Sequence, residues 1–445
     1  MTDRDYNHSR PLDVHRSSNY SEVNPFIDEI YNNHIKDVSE NANIQKKHLK
    51  LVLLDLFIAW IDDPELNIGV HMHEGAYSDG TVFNKGKSRY NELNIKVSTI
   101  KVVHRLRDLG FIGFKKGYEG SVEYAPRLSR IWGKDKLTKL FKDAAFSYFD
   151  INYSKDREVV ILRNEDKVDL EYEDNETTEA MRELLHKYNE LLRTTFIDIP
   201  ELDIPRIELK EKKKRRRRNK PVFVNISHHD KFTRRIFNNS TFEEGGRFYG
   251  GWWQRVDESH RSRIRLNNKA TVEIDYSALH VILAYAKVNI DYWKLTDKDP
   301  YRVPIDGVEN PEHIRDINKL FFLLSLNASN EISLYKAFRS ELDYKEYPYK
   351  FPDKVLAKLL EDIKLLHPKI AHLICSGAGL KLMNLDSQMV EFIIKDFVKT
   401  NTPILTIHDS FVVPFGQEDR LHKLMKKAFM FVSKQKRVRI KYNAN

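Results

Sequence analysis

The chain has 445 residues, a net charge of +9, 41% hydrophobic and 31% charged residues; that length predicts two or three domains, and that balance excludes a disordered chain. A single cysteine, Cys375, excludes an internal disulfide framework and a cysteine-rich zinc site, and no apolar run reaches membrane-spanning length. The positive excess favours a polyanionic partner, nucleic acid foremost, against the plain alternative of a basic protein without one. The polar start MTDRDYNHSR lacks the pattern of a signal peptide, so an intracellular, cytoplasmic protein is expected.

Residues 1–40 are polar with little periodicity and are expected to form a tail or loose arm. IQKKHLKLVLLDLFIAWIDD (44–63) has apolar residues at helical spacing. After a Gly-containing stretch, SRYNELN suggests a short helix, Ser98 caps a second helix running to about Leu109, and Gly110 ends it. FIGFKK and SVEYAP alternate on either side of GYEG as a hairpin does. Helix, turn, helix and hairpin in that order resemble a winged-helix domain over 41–135, with Thr99, Lys101 and Arg105 on the helix that would enter a DNA groove. A winged helix used only for protein contacts, or a chance helix–hairpin pattern, fits the same residues.

Residues 136–220 are expected to form a helical connector or reduced thumb. They contain an acidic stretch at 163–179, an amphipathic helix to about Leu192, and the run KEKKKRRRRNK at 210–220. Like charges cannot pack together, so the run is a solvated linker or a phosphate contact, and in either case it marks a domain boundary.

The segment ATVEIDYSALHVILAYAKV (270–288) begins as an alternating strand, with Val272 and Ile274 on one face and Thr271, Glu273 and Asp275 on the other. From Ser277 it switches to helical spacing, which puts Asp275 at the carboxyl end of a strand. TPILTIHDSFVVP reads as a hairpin with His408–Asp409 at its tip. Each Asp alone has an ordinary explanation, because turns and strand ends favour Asp through local hydrogen bonds. Two carboxylates held together by a rigid sheet, however, repel one another unless cations lie between them, and paired magnesium ions are the device that activates a hydroxyl and stabilises a leaving pyrophosphate.

These residues resemble a family. DYSALH is similar to motif A of family-A DNA polymerases, and TIHDSF to motif C of the related phage-type single-subunit RNA polymerases, where the DNA polymerases usually have HDE. PEHIRDINKLFFLLSLNAS supplies the intervening motif, a helix with Arg315, Lys319 four residues on, and Asn327-Ala328 at the family's Tyr-Gly positions. LDSQMVEFIIKDFVKTN has the placement of the helix before motif C, and Arg247 in GGRFYGGWWQRV matches a shorter Gly-Arg motif. The resemblance covers about residues 240–445 and rests on the ordered set of motifs.

It implies an α+β fold, a right-hand polymerase palm with an antiparallel sheet and helical fingers over 221–445, beside the small N-terminal winged-helix domain. It further implies that Asp275 and Asp409, helped by the Tyr276 carbonyl, hold two Mg2+ ions, with Mn2+ as a substitute. Lys319 and Arg315 would take the incoming triphosphate, His408 the primer terminus, and Arg247 the nucleic acid; Tyr276, His280 and Asn327 complete the nucleotide site. Two positions depart from the family. His280 stands where DNA polymerases have a Glu that excludes ribose, and Asn327 where a Tyr is usual. The two are expected to face one another near the sugar, which leaves the choice between dNTP and NTP unreadable.

A recognisable proofreading nuclease is not expected before residue 210, a region too short for a nuclease plus a full thumb. The expected function is therefore template-directed nucleotidyl transfer by a compact DNA polymerase without proofreading, acting on a primer-template and nucleoside triphosphates, of the kind that suits a plasmid, phage or other mobile element. The alternatives are an RNA polymerase or primase-like enzyme, untemplated terminal addition, and a non-catalytic winged-helix replication or regulatory DNA-binding protein.

Overall fold

The computed structural model describes residues 4–36, 41–77, 88–118, 127–209 and 222–443. The basic run at 210–220 and the SVEYAP arm of the expected hairpin lie outside the described residues. The architecture is α+β, and the chain divides into two compact units: Met1–Val159 with Leu202–Asp230, and Val160–Glu201 with Lys231–Asn445.

Residues 4–36 are not a loose arm. They supply β1 (Ser9–Pro11) and α1 (Val23–Ile30), whose Val23, Ile27 and Ile30 form a buried helical stripe continued by Tyr31 and Ile35. That stripe packs into one core with α2 (Ala42–Asp62), where Leu49, Val52, Leu53 and Leu56 are buried. The Asn41 side chain starts α2 by accepting from the Asn43 and Ile44 amides. β2 (Asn67–Val70) follows, then α3 (Ser98–Asp108), β3 (Ile112–Lys115) and β4 (Ser129–Gly133). β4 pairs antiparallel with both β2 and β3, and β1 lies parallel on β2. Gly110, at φ +75°, turns the chain out of α3 where a Cβ would be strained.

SRYNELN forms turns rather than a helix. The Asn91 side chain accepts from the Ile95 amide and donates to the Ile95 carbonyl, offering the backbone an alternative to helical bonds. The expected connector is also divided between the units. Arg206–Leu209 and Val222–Asn225 pair with each other in the first unit, where Ser227 Oγ donates to Asp62 Oδ2 at 2.7 Å and Arg206 meets Asp63 at 3.2 Å.

In the second unit, β5 (Val160–Arg163) precedes α4 (Glu176–Thr194), the helix read as a reduced thumb. α4 is built into this unit's interior: Leu185, Tyr188 and Leu192 are buried, and Tyr188 Oη donates to the Ile404 carbonyl at 2.9 Å. β6 (Thr233–Phe237) joins β5 in parallel and β7 (Gly245–Gly250) antiparallel. Next come β8 (Lys269–Tyr276), α5 (Leu279–Lys287), α6 (Pro311–Asn327), α7 (Gly379–Lys399), the hairpin β9 (Leu405–Ile407) and β10 (Ser410–Pro414), α8 (Glu418–Ser433), and β11 (Ile440–Asn443). Asn310 caps α6 and Pro311 occupies its first turn, the position where a missing N–H is harmless.

β8 is the centre of an antiparallel sheet. β10 runs along one edge, β11 pairs with its second half on the other, and Arg265–Leu266 pairs with its start. Ile274 and Phe411 lie opposite one another with no exposed surface, so the register that buries them also fixes where the strands end. Among the described residues, no helix is long and apolar enough to cross a membrane.

Candidate functional site

The buried register of β8 and β10 sets Asp275 opposite Ser410, and Ser410 is also opposite Ile407 on β9. His408 and Asp409 are thus the two residues of a tight turn beside the end of β8, with His408 in the left-handed region at φ 57°. The hairpin is braced from below, because Ser410 Oγ donates to Glu273 Oε1 at 2.6 Å while Arg261 Nε donates to Glu273 Oε2 at 3.0 Å. Glu273 shares a strand face with Asp275, as the alternation predicts, but it is buried and fully engaged in holding the turn.

The Asp275 side chain is 17% exposed, with Lys441 Nζ 3.5 Å from its Oδ2. Burial, and next the charge of Asp409, push its carboxyl up to about 7, against the opposing pull of Lys441 and Lys319. Asp409 also acts, after burial and Asp386, on the Arg247 guanidinium. Asp275 therefore lies within electrostatic reach of Asp409, Lys441 and Lys319, and Asp409 within reach of Arg247. The ring of His408 lies edge-on to Tyr249 with centroids 6.1 Å apart, and desolvation followed by the Arg247 charge holds its imidazolium below the usual range.

Several predicted residues have different surroundings from those expected. The Tyr276 side chain is buried, and its hydroxyl donates to the Met425 carbonyl of α8 at 2.7 Å, so only its backbone remains for a ligand. His280 and Asn327 do not pair. Among the described residues His280 Nε2 lies 3.0 Å from Asp386 Oδ2 on α7 and 3.0 Å from Arg247 Nη2. Asn327 Nδ2 donates to the Leu323 carbonyl of its own helix, and its Oδ1 lies so near Gly379 that a Cβ there would sit 2.1 Å away. Arg247 Nε donates to both oxygens of Asp386, at 3.2 and 3.0 Å. On α6, Arg315 Nε donates to Asp299 Oδ2 at 2.7 Å, its guanidinium 5.8 Å from the Tyr301 ring centroid, and Lys319 is exposed one turn further on.

In the first unit Thr99 has no exposed surface. It belongs to the Thr99, Val102, Val103, Leu106 stripe that α3 turns inward, so it cannot touch a groove. Lys101 and Arg105 are exposed on the opposite side, and Arg105 Nε donates to the His34 carbonyl at 3.1 Å.

Sequence reasoning missed three participants. Asp386 is fully buried between Arg247 and His280, yet LDSQ carries no signal of it. Asp299 orients Arg315. Lys441 stands directly across from Asp275 with Nζ 3.5 Å from Oδ2, and here a signal existed: Val438, Ile440 and Tyr442 alternate with Arg437, Arg439 and Lys441 as a strand would.

Two carboxylates and nearby backbone carbonyls are hard oxygen donors, suited to magnesium or manganese and not to zinc. Among the described residues no three His, Cys, Asp or Glu side chains gather at one point, so water and ligand oxygens would have to complete any ion's shell. The burial of Asp275 and its closeness to Asp409 are the features that fit a divalent cation.

No family model matches the chain, and no curated protein matches it. Among solved structures it is similar to the POL domain of Pol1 from M. smegmatis, in complex with DNA primer-template and dNTP, with 14% identity and a TM-score of 0.28. The match covers 48% of this chain and 47% of that one, so it spans about half of the solved domain.

Proposed function

We propose that the second unit is a template-directed nucleotidyltransferase, a compact DNA polymerase, with Asp275 and Asp409 as its metal-holding pair. The observation that carries this reading is the placement of two like charges, 134 positions apart by number (409 − 275), at adjoining ends of paired strands in a partly buried setting. The two carboxylates repel one another, and Lys441 and Lys319 offset this only in part, so Asp275 still resists ionisation.

Asp275, Asp409 and the Tyr276 carbonyl would hold magnesium, which lowers the pKa of a primer hydroxyl and offsets charge on the triphosphate. The chain's own side chains do the rest. Asp299 takes Arg315 Nε and so orients the guanidinium, leaving its outer edge for the distal phosphates. Lys319, one helical turn away, neutralises charge nearer the reacting phosphate. His408 at the hairpin tip donates to the primer end. His280, held by Asp386 and Arg247, is set back from the sugar by an ion pair, which gives a testable basis for sugar choice. The first unit would bind duplex DNA through the exposed Lys101 and Arg105 side of α3.

The test is primer extension on a DNA template with Mg2+, run with dNTPs and NTPs in parallel. Wild-type chain should extend the primer, and Asp409→Asn should lower the rate by roughly 100-fold or more while leaving primer-template affinity within a few-fold. Extension that survives Asp409→Asn would remove the pair from the mechanism.

A further inference from the structure

The last described strand brings a cation to the acidic pair. β11 runs antiparallel to the second half of β8, with Asn443 opposite Glu273, Tyr442 opposite Ile274, Lys441 opposite Asp275 and Ile440 opposite Tyr276. Directly opposed residues project to the same face, so the ladder delivers the Lys441 side chain to the Asp275 side chain, where Nζ lies 3.5 Å from Oδ2. The approach to β11 is fastened at two points. Arg439 stacks over the Trp293 ring at 3.7 Å and donates to the Asp297 carbonyl at 3.1 Å, and Arg437 donates to the Trp293 carbonyl at 3.4 Å. The backbone of this segment is thereby held, while the Lys441 side chain, paired with Asp275, is 52% exposed. A lysine stem with one fixed end and a half-exposed ammonium can leave Asp275 without disturbing the strand.

We infer that Lys441 is a tethered counter-ion that occupies the cation position of Asp275 in the metal-free protein and competes with a divalent ion for that carboxylate. This rests on the reading of Asp275 and Asp409 as the metal-holding pair. An ammonium within 4 Å of a carboxylate offsets the repulsion from Asp409 at low energy, because the pair is half in solvent. A divalent ion at the same oxygen meets both the lost ion pair and the repulsion of the displaced ammonium. The strand so sets a threshold of free metal below which the site stays closed, and the released ammonium then faces whatever anionic ligand the metal recruits.

The test measures Mn2+ binding to the full chain by electron paramagnetic resonance, without nucleotide or DNA. Lys441→Gln should bind Mn2+ about two- to five-fold more tightly than wild type, with Lys441→Arg near the wild-type value. Unchanged or weaker binding by Lys441→Gln, with the melting temperature preserved, would overturn the counter-ion role. Asp275→Asn separates this failure from failure of the site. Loss of Mn2+ binding in Asp275→Asn supports the metal-holding pair whatever Lys441 does, whereas binding that ignores Asp275→Asn overturns both.

Discussion

Asp386 on α7 has almost no exposed surface and Asp275 at the end of β8 has 17%, yet it is the more exposed carboxylate whose charge the protein resists. Burial opposes ionisation at both. At Asp386 it is outweighed by the hydrogen bond from His280 and the Arg247 guanidinium, which hold the carboxyl below its usual range. At Asp275 the nearest strong influence after burial is another acid, and the carboxyl is pushed up to about 7. Partners, not depth, separate the carboxyl held below its usual range from the one pushed above it.

Removing Asp386 should give the largest change in stability. Asp386→Ala strands Arg247 in the interior without its counter-charge, and denaturant unfolding should register a loss of about 3–5 kcal/mol. A loss under about 1 kcal/mol would mean that Arg247 finds Asp409 instead and that the two carboxylates are not distinct in kind. His280→Ala takes away one of the two partners and should destabilise by about 1–3 kcal/mol. Because Arg247 remains, the effects of His280→Ala and Asp386→Ala should be clearly non-additive in a double-mutant cycle.

Asp275→Asn should move stability at neutral pH in the opposite, favourable direction. Its pH dependence carries the contrast. The folded pKa of about 7 lies above the ordinary value of 3.8, so between these limits the folded state binds more protons than the unfolded one. Stability contributed by Asp275 is therefore present below that window and lost as pH rises through it. In chelator-treated buffer, wild type should lose more stability than Asp275→Asn between about pH 4 and 7. Parallel melting profiles for the two proteins would contradict the burial of Asp275 and its crowding by Asp409.

Much of the site could be read from local pattern. The β9–β10 hairpin follows from alternation on both sides of a two-residue tip, and α6 from its cap, its first-turn proline and its apolar stripe. Thr99 was readable and misassigned, since it heads a stripe at i, i+3, i+4 and i+7 that buries it. Residues 4–36 hid their order because α1 is eight residues long, too short for its three buried positions to stand out from polar neighbours. Asp386 was not readable at all. Its partners Arg247 and His280 lie 139 and 106 positions away, and no local periodicity encodes a pairing at that separation.

The return of Leu202–Asp230 to the first unit has an implication for how this protein can be cut and recombined. The Ser227 bond to Asp62, the Arg206 pair with Asp63 and the packing of the His229 ring against Tyr148, 4.5 Å between centroids, all join late residues to early ones. A fragment severed after Val159 would leave these early partners orphaned, so the amino-terminal unit is not a cassette that a single splice could lift out. Any transplant to another protein must carry both stretches, with a short bridge in place of the forty-odd residues between them, and the same constraint would hold for natural gene fusion.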